Sequence, residues 1–265
     1  MRKIKRNIYI YGRMISQQLK AILEYRSDFW ITMAAGALSQ TLGFVFLWVL
    51  YKNIPVISGW QLWEIVLLYA MIYFTEGVGS ALFDGIWIIG ALVNKGEFDR
   101  FLIRPIAPLT QVFGSQVGMN GYGNLIMGVV LIIEALVHLH IEWSLGKAVF
   151  TLLLVTSAIV IRMSINLTAN SVSFWIKSNN NSLAFMTHTV GDLAKYPLAV
   201  FPLAVKALIC VAVPYAFISY FPVSYVLGKG WWMVGLFTPL AAALCMAVAA
   251  AVFYRGLGTY ESTGN

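Results

Sequence analysis

Among the side chains able to carry charge or make strong hydrogen bonds inside long apolar stretches of this sequence, Glu76, Ser80, Asp84 and Arg162 are the candidates for function. A charge removed from water is costly, so such groups either pair with one another or face a polar cavity. Gly77, Ser80, Ala81 and Asp84 recur at helical spacing and share one small, polar face. That face suits a cavity lining or a close helix contact. Arg162 is followed by Ser164, Asn166, Thr168, Asn170 and Ser171, a stretch too polar to face lipid. Pairing of Arg162 with Asp84 or Glu76 is the expected arrangement. Two roles stay open for it: a buried pair that locks two helices, or a group in a transport path.

Other chemistry is poorly supported by spacing. His138 and His140 form an H-x-H, fewer ligands than a metal site needs. GVGS at 77–80 lacks the context of a nucleophile motif. No G-x-x-x-x-G-K-[ST] phosphate loop occurs, so work driven by ATP would be done by a partner. Cys210 and Cys245 lie in apolar runs and read as packing residues.

The elements that position these groups follow from composition. The 265 residues are 60% hydrophobic and 11% charged, with mean hydropathy +0.77. Soluble domains carry about 25% charged residues, so the chain is expected to be an all-α integral membrane protein. A crossing takes roughly 20 apolar residues. Six runs qualify: about Trp30–Tyr51, Leu62–Val93, Val112–Val137, Leu145–Trp175, Leu198–Tyr220 and Trp232–Tyr254. The second is longer than one crossing requires. Gly114 and Gly118 form a GxxxG at the start of the third, and Pro197, Pro202 and Pro214 punctuate the fifth.

Residues 1–26 precede these runs, and 27–265 form the six-helix domain. Ile4, Ile8, Tyr11, Ile15, Leu19 and Ile22 make an apolar stripe, with Arg2, Arg6, Arg13 and Lys20 opposite. This predicts an amphipathic helix lying in the headgroup layer of the lipid bilayer. With the N-terminus in the cytoplasm, thirteen Lys and Arg fall on the cytoplasmic side, counting Lys177, Lys195 and Arg255, against Lys52, Lys147 and Lys229 outside. The positive-inside rule therefore puts both termini in the cytoplasm. It also accounts for most of the net charge of +7 without nucleic acid. Glu134 then lies near the outer end of the third run, within snorkelling reach, and Asn179, Asn180 and Asn181 sit in a polar cytoplasmic link.

Residues 94–109, NKGEFDRFLIRPIAPL, are cytoplasmic on this topology. A helix is expected to continue into them from the second run and to end at Arg104, before Pro105. Phe98, Phe101 and Leu102 share one face, with Glu97, Asp99, Arg100 and Arg104 around it. Exposed phenylalanines beside charges suit docking into another protein, although a loop packed on its own helices stays possible.

GEFDRFLIRPIAP resembles a signature of type-2 ABC transporter permeases, with a G-x-x-D-x-x-L-x-R-P core at Gly96, Asp99, Leu102, Arg104 and Pro105. FPVSYVLG, with Pro222 and Gly228, and GLGTYESTGN, with Tyr260, Glu261 and Ser262, resemble two further family segments. The resemblance covers essentially the whole chain. It implies a transmembrane subunit, mostly of exporters, in the bacterial plasma membrane, paired with an identical copy or a paralogue. Each pair recruits two copies of a separate ATPase, which bind ATP and Mg. The 94–109 segment would be the coupling helix in a groove of that ATPase, and residues 215–231 an outer re-entrant segment. The competing classes are an ion-coupled secondary carrier using Glu76, Asp84 and Arg162, an intramembrane protease and a plain anchor. The missing inverted repeat counts against the first, and the absence of a nucleophile motif against the second.

Overall fold

A chain this apolar can satisfy its backbone inside a bilayer only by pairing each N–H and C=O internally, which favours helices. The computed structural model is built in that way. The described residues are 2–24, 26–54, 56–176 and 181–261, and no strand occurs among them. The expectations placed on Lys177, Asn179, Asn180 and Ser262 lie outside these residues, as do those on the side chains of Arg2, Lys3, Ile4 and Arg26.

Helix α1 (Arg2–Glu24) runs beside the bundle, and α2 (Arg26–Asn53) follows. On α1, Tyr11, Ile15, Leu19 and Ile22 are half-buried with Met14, while Arg6, Arg13 and Lys20 are exposed. Ile8 departs from the expected stripe and is exposed. On α2, Trp30, Ile31, Leu38, Leu42 and Phe46 are more than half exposed, whereas Leu47 and Tyr51 pack inward. Such a large bare apolar face fits lipid rather than water.

The long second run is α3 (Leu62–Phe83), a 3₁₀ stretch over Asp84–Ile88, and α4 (Ile89–Asn94). Two short helices follow, α5 (Asp99–Leu102) and α6 (Pro108–Phe113), then α7 (Asn120–His138) and α8 (Leu145–Ser171). Ser144 caps α8 by accepting from the Lys147 amide at 3.2 Å. Gly114 and Gly118 lie in the non-helical link between α6 and α7, so they form no helical GxxxG. The close packing falls elsewhere. A Cβ on Gly77 would stand 2.4 Å from the Leu125 amide nitrogen, and one on Gly128 would stand 2.6 Å from that of Phe74. Helices α3 and α7 therefore meet backbone to backbone, as small residues allow in membranes.

The fifth run is not one helix. The chain rises through α9 (Ser182–Leu193) to Tyr196, whose hydroxyl meets that of Tyr69 at 2.8 Å. After Pro202 come α10 (Leu203–Ala207) and a π turn over Leu208–Ala212. Val211–Pro214 line one cavity with Leu183 and Thr187, so the chain has doubled back. It leaves through a 3₁₀ turn at Tyr215–Phe217 and α11 (Tyr220–Leu227), with Leu203–Ala212 and Tyr215–Leu227 set at 71°. Prolines 197, 202 and 214 remove the amides that a continuous helix would need. A turn with Gly228 and Gly230 in the left-handed region leads to α12 (Trp232–Gly235) and α13 (Thr238–Gly258). Among the described residues five helices are long and apolar enough to cross a membrane, and six if the bent pair is one span.

Gly77→Ala and Gly128→Ala are expected to force α3 and α7 apart, at about 1–3 kcal/mol each. Gly79→Ala, on the same helix with open space around it, is the control. Thermal melts of the purified protein in lipid nanodiscs check this, with Tm falling for the first two only.

Candidate functional site

Arg162 sits on α8 with 3% of its surface exposed. Helix geometry points it across to α3, where its Nη2 donates to Glu76 Oε2 at 2.9 Å. The other carboxylate oxygen, Oε1, lies 2.9 Å from His188 Nε2 on α9. The Tyr215 ring covers the guanidinium at 5.7 Å. One carboxylate thus joins α3, α8 and α9. Of the two partners that the sequence offers Arg162, the structure chooses Glu76. Asp84 instead accepts from Ser80 at 2.8 Å.

Beside this cluster lies a cavity of about 440 Å³. Glu76, Ser80, Asp84, Arg162 and His188 all reach its wall, with Asn124 and Asn166 from α7 and α8. The four intramembrane candidates therefore do converge. His188 is the member that sequence reasoning missed, because residues 176–197 read as a cytoplasmic link. Lys195 corrects the same reading. It packs over the Tyr73 and Tyr69 rings, 4.9 and 5.8 Å from their centroids, and pairs with Asp192 at 2.7 Å. It lies against the body of α3 rather than in an end loop. Asn181 stands before α9 and donates to Trp87 O at 2.6 Å.

The 94–109 segment differs from its expected form in two respects. The helix does not run through it: the chain turns at Gly96, whose φ of 70° is open to glycine, and α5 ends at Leu102 rather than Arg104. Phe98 and Phe101 are also not exposed, at 0% and 4%. Phe98 packs on Phe174 beyond the end of α8, on Phe253 of α13 and on Tyr260, with centroids 5.3, 6.4 and 5.6 Å away. These rings bury the segment's base in its own chain because apolar aromatic surface finds a partner there. The Tyr260 phenol sits beside the Asp99 carboxylate, and burial followed by that charge pushes it above its ordinary pKa.

What remains exposed is Lys95, Glu97, Arg100, Leu102, Ile103, Arg104 and Pro105, with Ile103 at 83%. Arg100 pairs with Glu97 at 3.2 Å, a solvated contact of small worth. Buried Gln111 donates to Phe101 O at 2.8 Å and Ile106 O at 2.9 Å, which fixes both sides of the bend. From α1, Arg6 donates to Pro105 O at 3.1 Å and Gln18 to Ser115 O at 2.9 Å. Tyr11 donates to Leu82 O, and burial pushes its phenol up to about 12.

The family model described as ABC-2 family transporter protein matches residues 37–264, from within α2 past the end of α13. The chain belongs to this family. No curated protein and no solved structure matches it. It is thus an integral membrane protein and a permease subunit of an ABC transporter.

In this permease two of the three resembling segments come together. The G-x-x-D motif and the C-terminal segment meet at Asp99 and Tyr260. At the other end of the molecule, Lys229 in the turn after α11 pairs at 2.6 Å with Glu64, which also accepts from the Gln61 amide at 2.9 Å to start α3. Glu64 is a second residue that sequence reasoning missed. Its signal was an acid in the first helical turn, where the helix dipole favours it. His138 stacks on Trp63 with centroids 3.9 Å apart, so its ring is held by packing.

Removing Glu76 strands the buried guanidinium, whereas removing Arg162 leaves Glu76 with His188. Glu76→Gln is expected to cost roughly 3–5 kcal/mol, Arg162→Gln less and His188→Gln least. Unfolding of the three variants in matched nanodiscs gives the order.

Proposed function

We propose that this permease exports its cargo with energy from a separate ATPase docked on the exposed tip Leu102–Pro105, flanked by Glu97 and Arg100. The observation that carries the reading is an exposed isoleucine and arginine on a base that is itself immobilised. Ile103 is 83% exposed, while Phe98 and Phe101 beneath it are buried. An unpaired apolar side chain ringed by charge is a docking feature, and a rigid base lets the docked partner exert force.

The route inward is continuous. The base touches Phe174 beyond α8 and Phe253 on α13. Helix α8 carries Arg162, which holds Glu76 on α3. A push on the tip therefore tilts α8 and α13 against α3, and the polar cluster registers the shift between two packed arrangements. The sequence holds no phosphate loop, so this chain hydrolyses no ATP on this reading, and ATP with Mg belongs to the partner.

Two permease copies, identical or paralogous, and two ATPase copies make the assembly. It sits in a bacterial plasma membrane, with both termini and the tip in the cytoplasm and α1 in the headgroup layer. The Lys and Arg distribution supports that orientation, even with Lys195 withdrawn from the count. Direction of transport rests on the family resemblance.

Ile103→Asp and Arg104→Glu are expected to reduce copurification of the ATPase at least tenfold, about 1.4 kcal/mol, without lowering Tm. Phe98→Ala is expected to lower Tm, at roughly 3–5 kcal/mol. Undiminished copurification with both tip variants would overturn the docking site. Cargo movement by the isolated chain in liposomes, with no nucleotide, would favour the ion-coupled reading instead.

A further inference from the structure

One carboxylate on the wall of the polar cavity has no cation beside it. Glu76 is answered by Arg162 and His188, both at 2.9 Å. Lys195 is answered by Asp192 at 2.7 Å. Among the described residues the Asp84 carboxylate has one hydrogen bond, from Ser80, and no cation within 4.0 Å. The rest of the wall adds the neutral amides Asn120, Asn124 and Asn166, and aromatic faces. Asn166 reaches the cavity and has an Oδ1 buried without a hydrogen-bond partner. Phe83, Trp87 and Phe185 supply rings.

We propose that this cavity binds an amphipathic organic cation, with Asp84 as its counter-charge and Trp87 among the rings that hold its apolar part. The volume of about 440 Å³ falls in the usual range for small-molecule pockets, roughly 300–1,000 Å³. A carboxylate inside a bilayer is stabilised by an opposite charge, and a ligand cation supplies one where the protein does not. Aromatic faces attract the same charge through their quadrupoles. An anion would meet Asp84 repulsively, and among the described residues of the wall Arg162 and His188 are already engaged by Glu76. A neutral apolar ligand would leave Asp84 and Asn166 unanswered. That the bound cation is cargo rests on the permease reading, but the binding itself does not.

The test uses two ions of nearly the same size and shape and opposite charge, tetraphenylphosphonium and tetraphenylborate. Saturable binding of each to the full-length protein in zwitterionic nanodiscs is measured, with empty nanodiscs subtracted. The phosphonium is expected to bind at least tenfold more tightly than the borate. Asp84→Asn is expected to weaken phosphonium binding about tenfold and erase the preference, Asp84→Glu to keep it, and Trp87→Leu to weaken both ions. Equal binding of the two ions by the unmodified protein overturns the proposal whether or not the variants fold. So does an Asp84→Asn variant that binds the phosphonium unchanged. If the charge preference holds while tip variants keep their ATPase, the coupling reading fails alone. If the preference is absent while tip variants lose the ATPase, the cation site fails alone.

Discussion

A guanidinium with almost no access to water sets the terms for the middle of this protein. Arg162 cannot shed its charge, so its position on α8 is tolerable only if a carboxylate reaches it. Glu76 does so, and its second oxygen takes His188. Three helices are thereby fixed in rotation and in height, since a slip of one turn in any of them would leave a charge without a partner. Packing alone would not impose this, because lipid tails compete well with apolar side chains for helix faces. The Tyr215 ring over the guanidinium extends the constraint to the bent segment between Leu203 and Leu227.

The segment at 94–109 is organised by the opposite kind of force. Lys95, Glu97, Arg100 and Arg104 lie outside, and aromatic surface holds the segment down. Phe98 meets rings contributed by the ends of α8 and α13 and by Tyr260, residues distant in sequence. Gln111 and Arg6 then bind the carbonyls of the bend, which no helix satisfies. A short turn with so little regular structure is stiff because each of its sides is tied to a different helix.

Long apolar runs gave away the membrane class and most helices, since period and length are local properties. The convergence of Glu76, Ser80, Asp84 and Arg162 on one cavity could be anticipated from the cost of isolated charge. The choice between Glu76 and Asp84 could not, because it depends on the relative height of α3 and α8. His188 was hidden for a similar reason: α9 is too short and polar to read as a span, and only its packing against α3 gives the imidazole a role. The phenylalanines of the 94–109 segment follow the packed-loop alternative and not the exposed face, because no helix continues through Gly96. A single residue at positive φ rotated everything after it. The prolines between 197 and 214 were visible, but proline shows that a helix breaks, not which way the chain goes next.

The seam between α3 and α7 has a mechanical meaning. With Gly77 pressed on Leu125 and Gly128 on Phe74, no cushion of side chains separates the two backbones. Neither can slide past the other without lifting a bulky residue over bare main chain. The pair is one strut, and any opening of the permease has to be accommodated where side chains interleave, along α8, α9 and the kinked stretch behind them. Probes attached to α3 and α7 would keep a constant spacing through a transport cycle, which makes this strut a natural frame against which to measure how far the other helices travel.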